Sequence, residues 1–129
     1  MLVRNFDATD LYTVHQLLLV SGWGHRVEAQ DDLARLIAAS QRTAVAVVDE
    51  QVIGFARAIT DGISNGYLSM VVVADGFRRR GVGHALVEHI VGQNESITWV
   101  LRAGREGASQ FFAKQGFNES AVAMERKRR

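Results

Sequence analysis

Short apolar runs rich in valine fill the middle of the chain, and apolar residues recur with a helical period on either side of it. Short apolar runs with β-branched residues indicate buried β-strands, whereas apolar spacings of three and four indicate amphipathic helices. The predicted strands cover residues 1–6, 43–49, 52–59, 67–73, 96–103 and 119–127. The predicted helices cover residues 7–24, 30–40, 81–92 and 106–116.

These elements follow one another in the order β-α-α-β-β-β-α-β-α-β. Three consecutive strands joined by short polar connections form a meander, after which strand, helix and strand alternate. A chain of 129 residues suits a single domain. The predicted fold is therefore α/β (α+β), one domain spanning residues 1–129, with a mixed, mostly antiparallel sheet and helices on both faces.

The predicted helix at 81–92 has one apolar stripe that is expected to face the sheet. Its members are Val82, Ala85, Leu86, His89 and Ile90. Because His89 falls on this stripe, we expect it to be a core or interface residue.

Composition narrows the class of protein. Hydrophobic residues make up 47% of the chain and charged residues 22%, which is ordinary for a globular domain with a core. The formal net charge is only +1, which argues against a nucleic-acid-binding protein. There is no cysteine, so the chain has neither a disulfide nor a cysteine metal site, and we expect no metal. No apolar run is long enough to span a bilayer and no secretory signal is evident, so we expect a cytoplasmic protein.

The stretch "GFRRRGVGHAL", residues 76–86, has the residue types of an anion site. A helix begins with unpaired backbone N–H groups and a partial positive charge, and glycines at Gly81 and Gly83 would let a ligand reach that backbone. Arginines 78–80 add charge that suits phosphate. The stretch lacks the third glycine of a dinucleotide fingerprint and the lysine of a Walker A loop, so we expect another kind of diphosphate.

The segment "RRRGVG", residues 78–83, resembles the acyl-CoA loop of the GNAT superfamily of N-acetyltransferases, whose pattern is Gln or Arg, two residues, Gly, any residue, then Gly or Ala. As in that family, a strand ending in a valine, here Val73, precedes the loop. About 25 residues later "ASQFFAKQGF" supplies the family's small residue, aromatic pair and Gly-Phe. The resemblance extends over nearly the whole chain and agrees with the predicted order of elements.

The resemblance implies an acetyl-CoA-dependent N-acetyltransferase with the GNAT fold that transfers the acetyl group directly to an amine, with coenzyme A as the product. It also implies that the strand before the loop holds the pantetheine arm, with the amide of Val72 or Val73 facing the thioester carbonyl, and that the amides from Arg79 to His84 cradle the diphosphate. The cofactor-binding residues implied are Met70, Val71, Val72, Val73, Arg78, Arg79, Arg80, Gly81, Val82, Gly83, His84, Ala108, Phe111, Phe112 and Lys114. Arg105 is a further candidate for contact with the phosphates of coenzyme A.

The chain departs from the family pattern at two positions where proton transfer is expected. Many relatives have a tyrosine as the second member of the aromatic pair, where this chain has Phe112, and many have an acidic residue where this chain has Ser69. Phe112 has no proton to donate and Ser69 is a poor base. Tyr67 is the first candidate for a replacement acid, and Asp61 is a candidate base acting through a water, although "TDG" also suits a turn.

Candidates for contact with the acceptor come from two regions. Trp23, between the two glycines that end the first helix, is a candidate for lining an aromatic substrate pocket, with anchoring of the helix end as the alternative. His25 and Glu28 follow that helix, where relatives cover their substrate, and Arg57 is expected on the polar face of its strand, directed towards an acidic substrate group. The preferred acceptor is a small-molecule amine. The alternatives are a protein N-terminus or lysine, and a non-catalytic acyl-CoA-binding module. A homodimer is expected only by analogy with the family, and neither nucleic acid nor membrane is expected as a partner.

Overall fold

The apolar segments in the middle of the chain form a continuous antiparallel meander in the computed structural model, which describes all 129 residues. The strands of the single sheet are β1 Leu2–Arg4, β2 Arg42–Val48, β3 Gln51–Thr60, β4 Asn65–Val73 and β5 Thr98–Val100. Their spatial order is β1-β2-β3-β4-β5, with antiparallel pairing from β1 to β4 and parallel pairing between β4 and β5. The helices are α1 Leu11–Val20, α2 Gln30–Ala38, α3 Val82–Val91 and α4 Ala108–Ala113.

The β2–β3 hairpin is formed by a two-residue turn whose backbone matches the twist of the strands. Asp49 and Glu50 both have positive φ, 48° and 65°, as the type I′ turn requires. A 3-10 turn at Ala8–Asp10 precedes α1, and Asp10 forms a two-pronged ion pair with Arg4 at 2.8 and 3.0 Å. These contacts fix the way the chain enters the first helix.

The two faces of the sheet carry separate hydrophobic cores. On one face, α3 packs Leu86 and Ile90 against small side chains of β2 and β3, which let the helix lie close to the sheet. On the other face, Val14 and Leu18 of α1 and Leu33 of α2 pack around Phe55. The predicted mixed, mostly antiparallel sheet with helices on both faces is therefore confirmed.

Three sequence-based details are wrong. The strand predicted at 119–127 does not form: Val122 and Met124 are 88% and 98% exposed, and no strand pairs with this segment. Alternation alone cannot make a strand, because backbone hydrogen bonds require a neighbour. The strand predicted at 96–103 contains only the three residues of β5. His89, predicted as a core or interface residue, is not in the core: it is exposed and lies 2.8 Å from Asn5 through Nε2 and Oδ1, while Val87 is buried on α3 instead.

None of the helices is long and apolar enough to cross a membrane.

Candidate active site

The sheet splits between β4 and β5. The two strands pair only at three positions, from Asn65 with Thr98 to Tyr67 with Val100, and β4 then continues to Val73 with no strand on that side. Trp99 fits closely against β4 because Gly66 has no side chain: a Cβ there would lie 2.4 Å from the indole ring. Beyond Tyr67 no strand pairs with this edge of β4, and only the last carbonyl, that of Val73, is engaged, by the side chain of Arg78, so the edge suits an extended ligand.

A β-bulge interrupts β4 at the start of this open edge. Phe55 pairs with Val72, but Arg57 pairs with Ser69, so β4 contains one more residue than β3 over this stretch. Met70 provides the extra residue with a φ of +56°, a left-handed conformation that is uncommon for a non-glycine residue. The bulge bends the strand where the acceptor and donor are expected to meet.

Hydrogen bonding identifies which amide at the end of β4 faces the open edge. The N–H of Ala74 donates to the carbonyl of Ile53 in β3 at 2.8 Å. Because successive amides of a strand point to opposite edges, the amide of Val73 is directed to the open edge and that of Val72 towards β3. Of the two amides expected to face a thioester carbonyl, only that of Val73 has the required direction.

The loop between β4 and α3 presents bare backbone N–H groups. Gly81 precedes α3 with a φ of +81°, and no side chain caps the helix. The first amide to donate within the helix is that of Ala85, to the carbonyl of Gly81 at 3.0 Å. Every amide from Arg79 to His84 lacks a hydrogen-bond acceptor in the protein. This run of exposed donors at a helix N-terminus favours a bound anion.

The three arginines of the loop have different environments. Arg78 donates through Nε to the carbonyl of Val73 at 3.0 Å and forms an ion pair with Asp75 at 2.8 Å, so it attaches the loop to the end of β4. Arg80 lies over the ring of Phe77 at 5.6 Å. Arg79 is exposed and forms no ion pair. Of the three, Arg79 is therefore the least constrained by the protein.

Helix α4 packs on the first turn of α3 through the aromatic pair. A Cβ at Gly83 would lie 2.8 Å from the ring of Phe111, so this glycine lets the two helices meet. Phe111 and Phe112 contact edge to face at 4.9 Å, and Phe112 contacts Phe117 in the same way at 5.8 Å. Phe112 is thus part of a half-buried aromatic cluster.

Other predicted cofactor residues lie around this junction. The amide of buried Val82 is at the helix mouth, while its side chain belongs to the core. The imidazole of His84 contacts Gln115 through Nδ1 and Glu88 through Nε2. Ala108 begins α4 and is half-buried, whereas Lys114 follows the helix, is exposed and has no ion pair. Val71 lies on β4 and packs against the core on the α3 face.

Tyr67 and Ser69 lie on the face of the sheet covered by α1 and α2, two residues apart on β4. Both are half-buried, and neither hydroxyl forms a hydrogen bond within the protein. Ser69 is directly opposite Arg57 on β3. These hydroxyls are therefore available to a ligand beside the bulge.

Arg57 is not on an open polar face, as the sequence suggested, but is only 5% exposed. Its strand position does place it on the face of Tyr67 and Ser69, but Ser40, which follows α2, covers it. Burial lowers the pKa of Arg57, and the neighbouring Tyr67 partly offsets this effect. No sequence signal identified Ser40, because a serine after a helix is common and its partner is distant in sequence.

Asp61 is fully engaged in the turn before β4. Its carboxylate accepts hydrogen bonds from the amides of Ile63 and Ser64 at 2.8 Å each and from the hydroxyl of Ser64 at 2.5 Å. These bonds, above all those from Ser64, hold the pKa of Asp61 far below its usual range. A carboxylate stabilised in this way is a weak base, so its contacts favour the turn-forming role over the catalytic one.

The loop between α1 and α2 is anchored by its aromatic residue. The guanidinium of Arg105 lies 4.4 Å from the ring centroid of half-buried Trp23, so Arg105 joins the segment after β5 to this loop. Burial and the nearby charge of Arg78 both lower the pKa of Arg105. His25 and Glu28 are exposed in the same loop and form no side-chain hydrogen bond or ion pair.

His15, which the sequence did not single out, attaches the loop between α1 and α2 to the buried face of α1. The imidazole is buried, and its Nε2 lies 2.8 Å from the carbonyl oxygen of Val27. A carbonyl can only accept, so Nε2 carries the proton in this contact. The position of His15 on the apolar face of α1 is typical of a core histidine.

Comparison with known proteins identifies the family of the chain. A model of the GNAT acetyltransferase domain matches residues 39–119, a segment that contains β4, the loop before α3, and α4. No curated protein matches the chain.

Solved structures share the fold at low sequence identity. A protein of the GNAT family from Xanthomonas campestris pv. campestris has a TM-score of 0.80 at 24% identity, over 98% of this chain and 94% of that one. Ard1 from Thermoplasma volcanium has a TM-score of 0.77 at 23% identity, over 93% and 84% of the two chains. An aminoglycoside 6′-N-acetyltransferase complexed with coenzyme A has a TM-score of 0.60 at 22% identity, over 68% and 52%. With its fold, its glycine loop and the family match in agreement, the chain belongs to the GNAT family of acetyltransferases.

Proposed function

We propose that this acyltransferase moves the acetyl group of acetyl-CoA directly to a primary amine of a small molecule. One observation carries the proposal: the open edge of β4 leads straight to the loop in which every amide from Arg79 to His84 lacks a partner. A pantothenyl arm ending in a diphosphate has peptide-like groups for the first feature and negative charge for the second. The coenzyme A complex of the aminoglycoside 6′-N-acetyltransferase, which has a similar fold, supports the same assignment.

The residues divide into two groups in this proposal. Backbone from Met70 to Val73 pairs with the pantetheine arm, and the loop amides hold the diphosphate, with Arg79 adding charge from solvent. The half-buried Phe111–Phe112 pair supports α4 beside the first turn of α3. Acetyl-CoA supplies a thioester carbonyl, and the amide of Val73 is the donor that would stabilise the oxyanion formed there.

The acceptor reaches this carbonyl from the face of β4 that carries Tyr67 and Ser69. An amine must be neutral to attack, so its ammonium form has to lose a proton first. Asp61 is held in its turn as a weak base, and neither Phe112 nor Ser69 can serve as a base, so we propose that the ammonium releases its proton to bulk solvent before the neutral amine attacks. The unpaired hydroxyl of Tyr67 is the candidate acid for the departing thiolate.

A release assay for free coenzyme A over a panel of amines tests this function. We expect turnover with some small primary amines and none in their absence beyond slow hydrolysis. A peptide series with free N-termini and lysines belongs in the same panel, because a preference for peptides would contradict the small-molecule assignment. Binding of acyl-CoA without turnover on any amine would favour a non-catalytic module.

Substitution of Gly81 tests the diphosphate site separately. A Cβ at Gly81 would meet no atom within 4 Å, so a side chain there begins in open space. Gly81→Asp and Gly81→Asn add the same bulk in the same left-handed conformation, but only aspartate adds charge next to the phosphates. By calorimetry we expect coenzyme A to bind the aspartate variant at least about 30-fold more weakly than the asparagine variant, roughly 2 kcal/mol. Equal affinities of the two variants would exclude a phosphate at this position.

A further inference from the structure

Arg57 is a buried cation without an anionic partner. Its side chain is on the α1–α2 face of the sheet, it is 5% exposed, and no carboxylate of the protein forms an ion pair with it. Arginine is rarely buried unless it is paired, because removing a charge from water is costly. An isolated cation in this setting calls for a negative group from outside the protein.

The orientation of Arg57 is fixed while its binding nitrogens remain free. Nε donates to Ser40 Oγ at 2.8 Å, and that hydroxyl donates in turn to the carbonyl of Leu36 at 2.7 Å. The hydroxyl proton is thereby committed to Leu36, so Ser40 can only accept from Arg57. Neither Nη group has a hydrogen-bond partner in the protein, and neither Nη atom is fully buried. Both therefore retain access to solvent. The guanidinium is therefore held in place with its two terminal donors available.

The position of Arg57 on β3 is opposite the part of β4 that is proposed to face the acceptor. Arg57 is directly opposite Ser69, and adjacent strands are about 4.8 Å apart. Ser69 precedes Met70, the left-handed residue of the bulge, and Tyr67 lies two residues earlier on the same face. The side chains of Arg57, Tyr67 and Ser69 thus share one patch of the sheet, and each has an unpaired polar group.

We propose that Arg57 binds a carboxylate of the acceptor, so that the substrate is an amine that carries a carboxylate a few bonds from its nitrogen. This inference rests on the proposed acetyl transfer to an amine. A planar carboxylate matches the two Nη donors of one guanidinium, and its single negative charge balances the single positive charge present. The hydroxyls of Tyr67 and Ser69 are placed to hold the rest of the acceptor.

Matched ligands test the proposal without relying on turnover. We would titrate the protein, saturated with coenzyme A, with N-acetyl amino acids and with the corresponding N-acetyl amino acid amides. The carboxylate member of each pair should bind at least about tenfold more tightly to the unaltered protein. In Arg57→Gln this difference should disappear, while affinity for the amide changes less than about threefold. Equal binding of acids and amides by the unaltered protein, or tighter binding of phosphorylated amines than of carboxylates, would overturn the proposal.

Steady-state kinetics then separates substrate binding from a purely structural role. With free amino acids as acceptors, Arg57→Gln should raise KM by at least about tenfold and change kcat much less. The KM of Arg57→Lys should lie between those of Arg57→Gln and the unaltered protein, because lysine keeps the charge but lacks the paired donors of the guanidinium. Ser40→Ala keeps the guanidinium but removes the hydrogen bond that orients it, so it should raise KM by a smaller factor. This variant replaces Arg57→Gln in the test if Arg57→Gln does not fold. An unchanged KM in both Ser40→Ala and Arg57→Lys would contradict the assignment.

Turnover confined to uncharged amines would refute this inference and leave the acetyl transfer intact, whereas coenzyme A binding with no turnover on any amine would refute the acetyl transfer itself.

Discussion

Asp61 and Arg57 are both charged, but their surroundings affect them in opposite ways. Asp61 is exposed, and its carboxylate accepts hydrogen bonds from the turn that follows it. Arg57 is buried, and only one of its nitrogens donates a bond within the protein. The first side chain is therefore satisfied and structural, whereas the second retains unused binding capacity.

The pH dependence of stability should reveal the role of Asp61. Its pKa is lowered in the folded state, so its carboxylate stabilises the fold above the usual aspartate pKa of about 3.9 and this contribution is lost as the pH falls further. Asp61→Asn keeps one acceptor oxygen but no charge. We expect the variant to be less stable at pH 7 and the difference to shrink from pH 4 to pH 2, measured by urea denaturation at each pH.

A difference between Asp61→Asn and the unaltered protein that stays constant from pH 7 to pH 2 would contradict this account. A variant that folds normally but loses coenzyme A release specifically would instead return Asp61 to the list of catalytic candidates.

At the residue scale, the sequence predicted which residue types suit the helix mouth, but it did not predict which side chains are buried. Gly81 was predicted to expose backbone at the helix mouth, and glycine is also the residue that most readily adopts the positive φ found there. The positive φ of Met70 has no such signal, because methionine does not favour that conformation. The alternation of β3 indicated the face of Arg57, but its burial depends on where the end of α2 lies.

At the element scale, the packing of α4 on α3 relies on a close contact between Gly83 and the ring of Phe111. The ring of Phe111 occupies the space that a side chain at Gly83 would take. Alanine at this position should strengthen the helix by about 0.5–1 kcal/mol but cause overpacking that costs about 1–3 kcal/mol. We therefore expect Gly83→Ala to destabilise the protein by about 1 kcal/mol in urea denaturation.

The same substitution in a Phe111→Leu background provides the control. With the ring removed, only the gain in helix propensity remains, so Gly83→Ala should be neutral or stabilising there. A loss that is equal in both backgrounds would show that the cost of alanine comes from elsewhere than Phe111.

Elements with internal periodicity were predicted well, and elements that depend on a partner were not. The stripe of α3 was correct at Leu86 and Ile90 but included His89 in place of Val87, because a helix of this length tolerates more than one assignment of its buried face. The tail has strand-like alternation and yet forms no strand. Its contact with the rest of the chain includes an ion pair between Arg102 and Glu125 at 2.6 Å.

At the scale of the whole molecule, the candidate site lies where a sheet covered by helices on both faces leaves the end of an inner strand, β4, unpaired on one side. Helices cover the two cores, while β4 lacks a neighbour beyond Tyr67. Open strand edges and bare helix ends are normally covered in proteins, because unpaired amides attract other chains. Here the unpaired end of β4 is followed directly by the uncapped start of α3. A ligand that binds to both explains why the protein leaves their amides unpaired.

Amide hydrogen exchange, followed residue by residue with and without saturating coenzyme A, tests this account most directly. Exchange should slow at Val73 and at the amides from Arg79 to His84, because the ligand supplies the acceptors that the protein lacks there. Amides that pair β1 with β2 should be unaffected and serve as the internal control. If coenzyme A binds, as shown by calorimetry, and leaves the exchange of Val73 and of the loop amides unchanged, the cofactor lies elsewhere and the account is wrong.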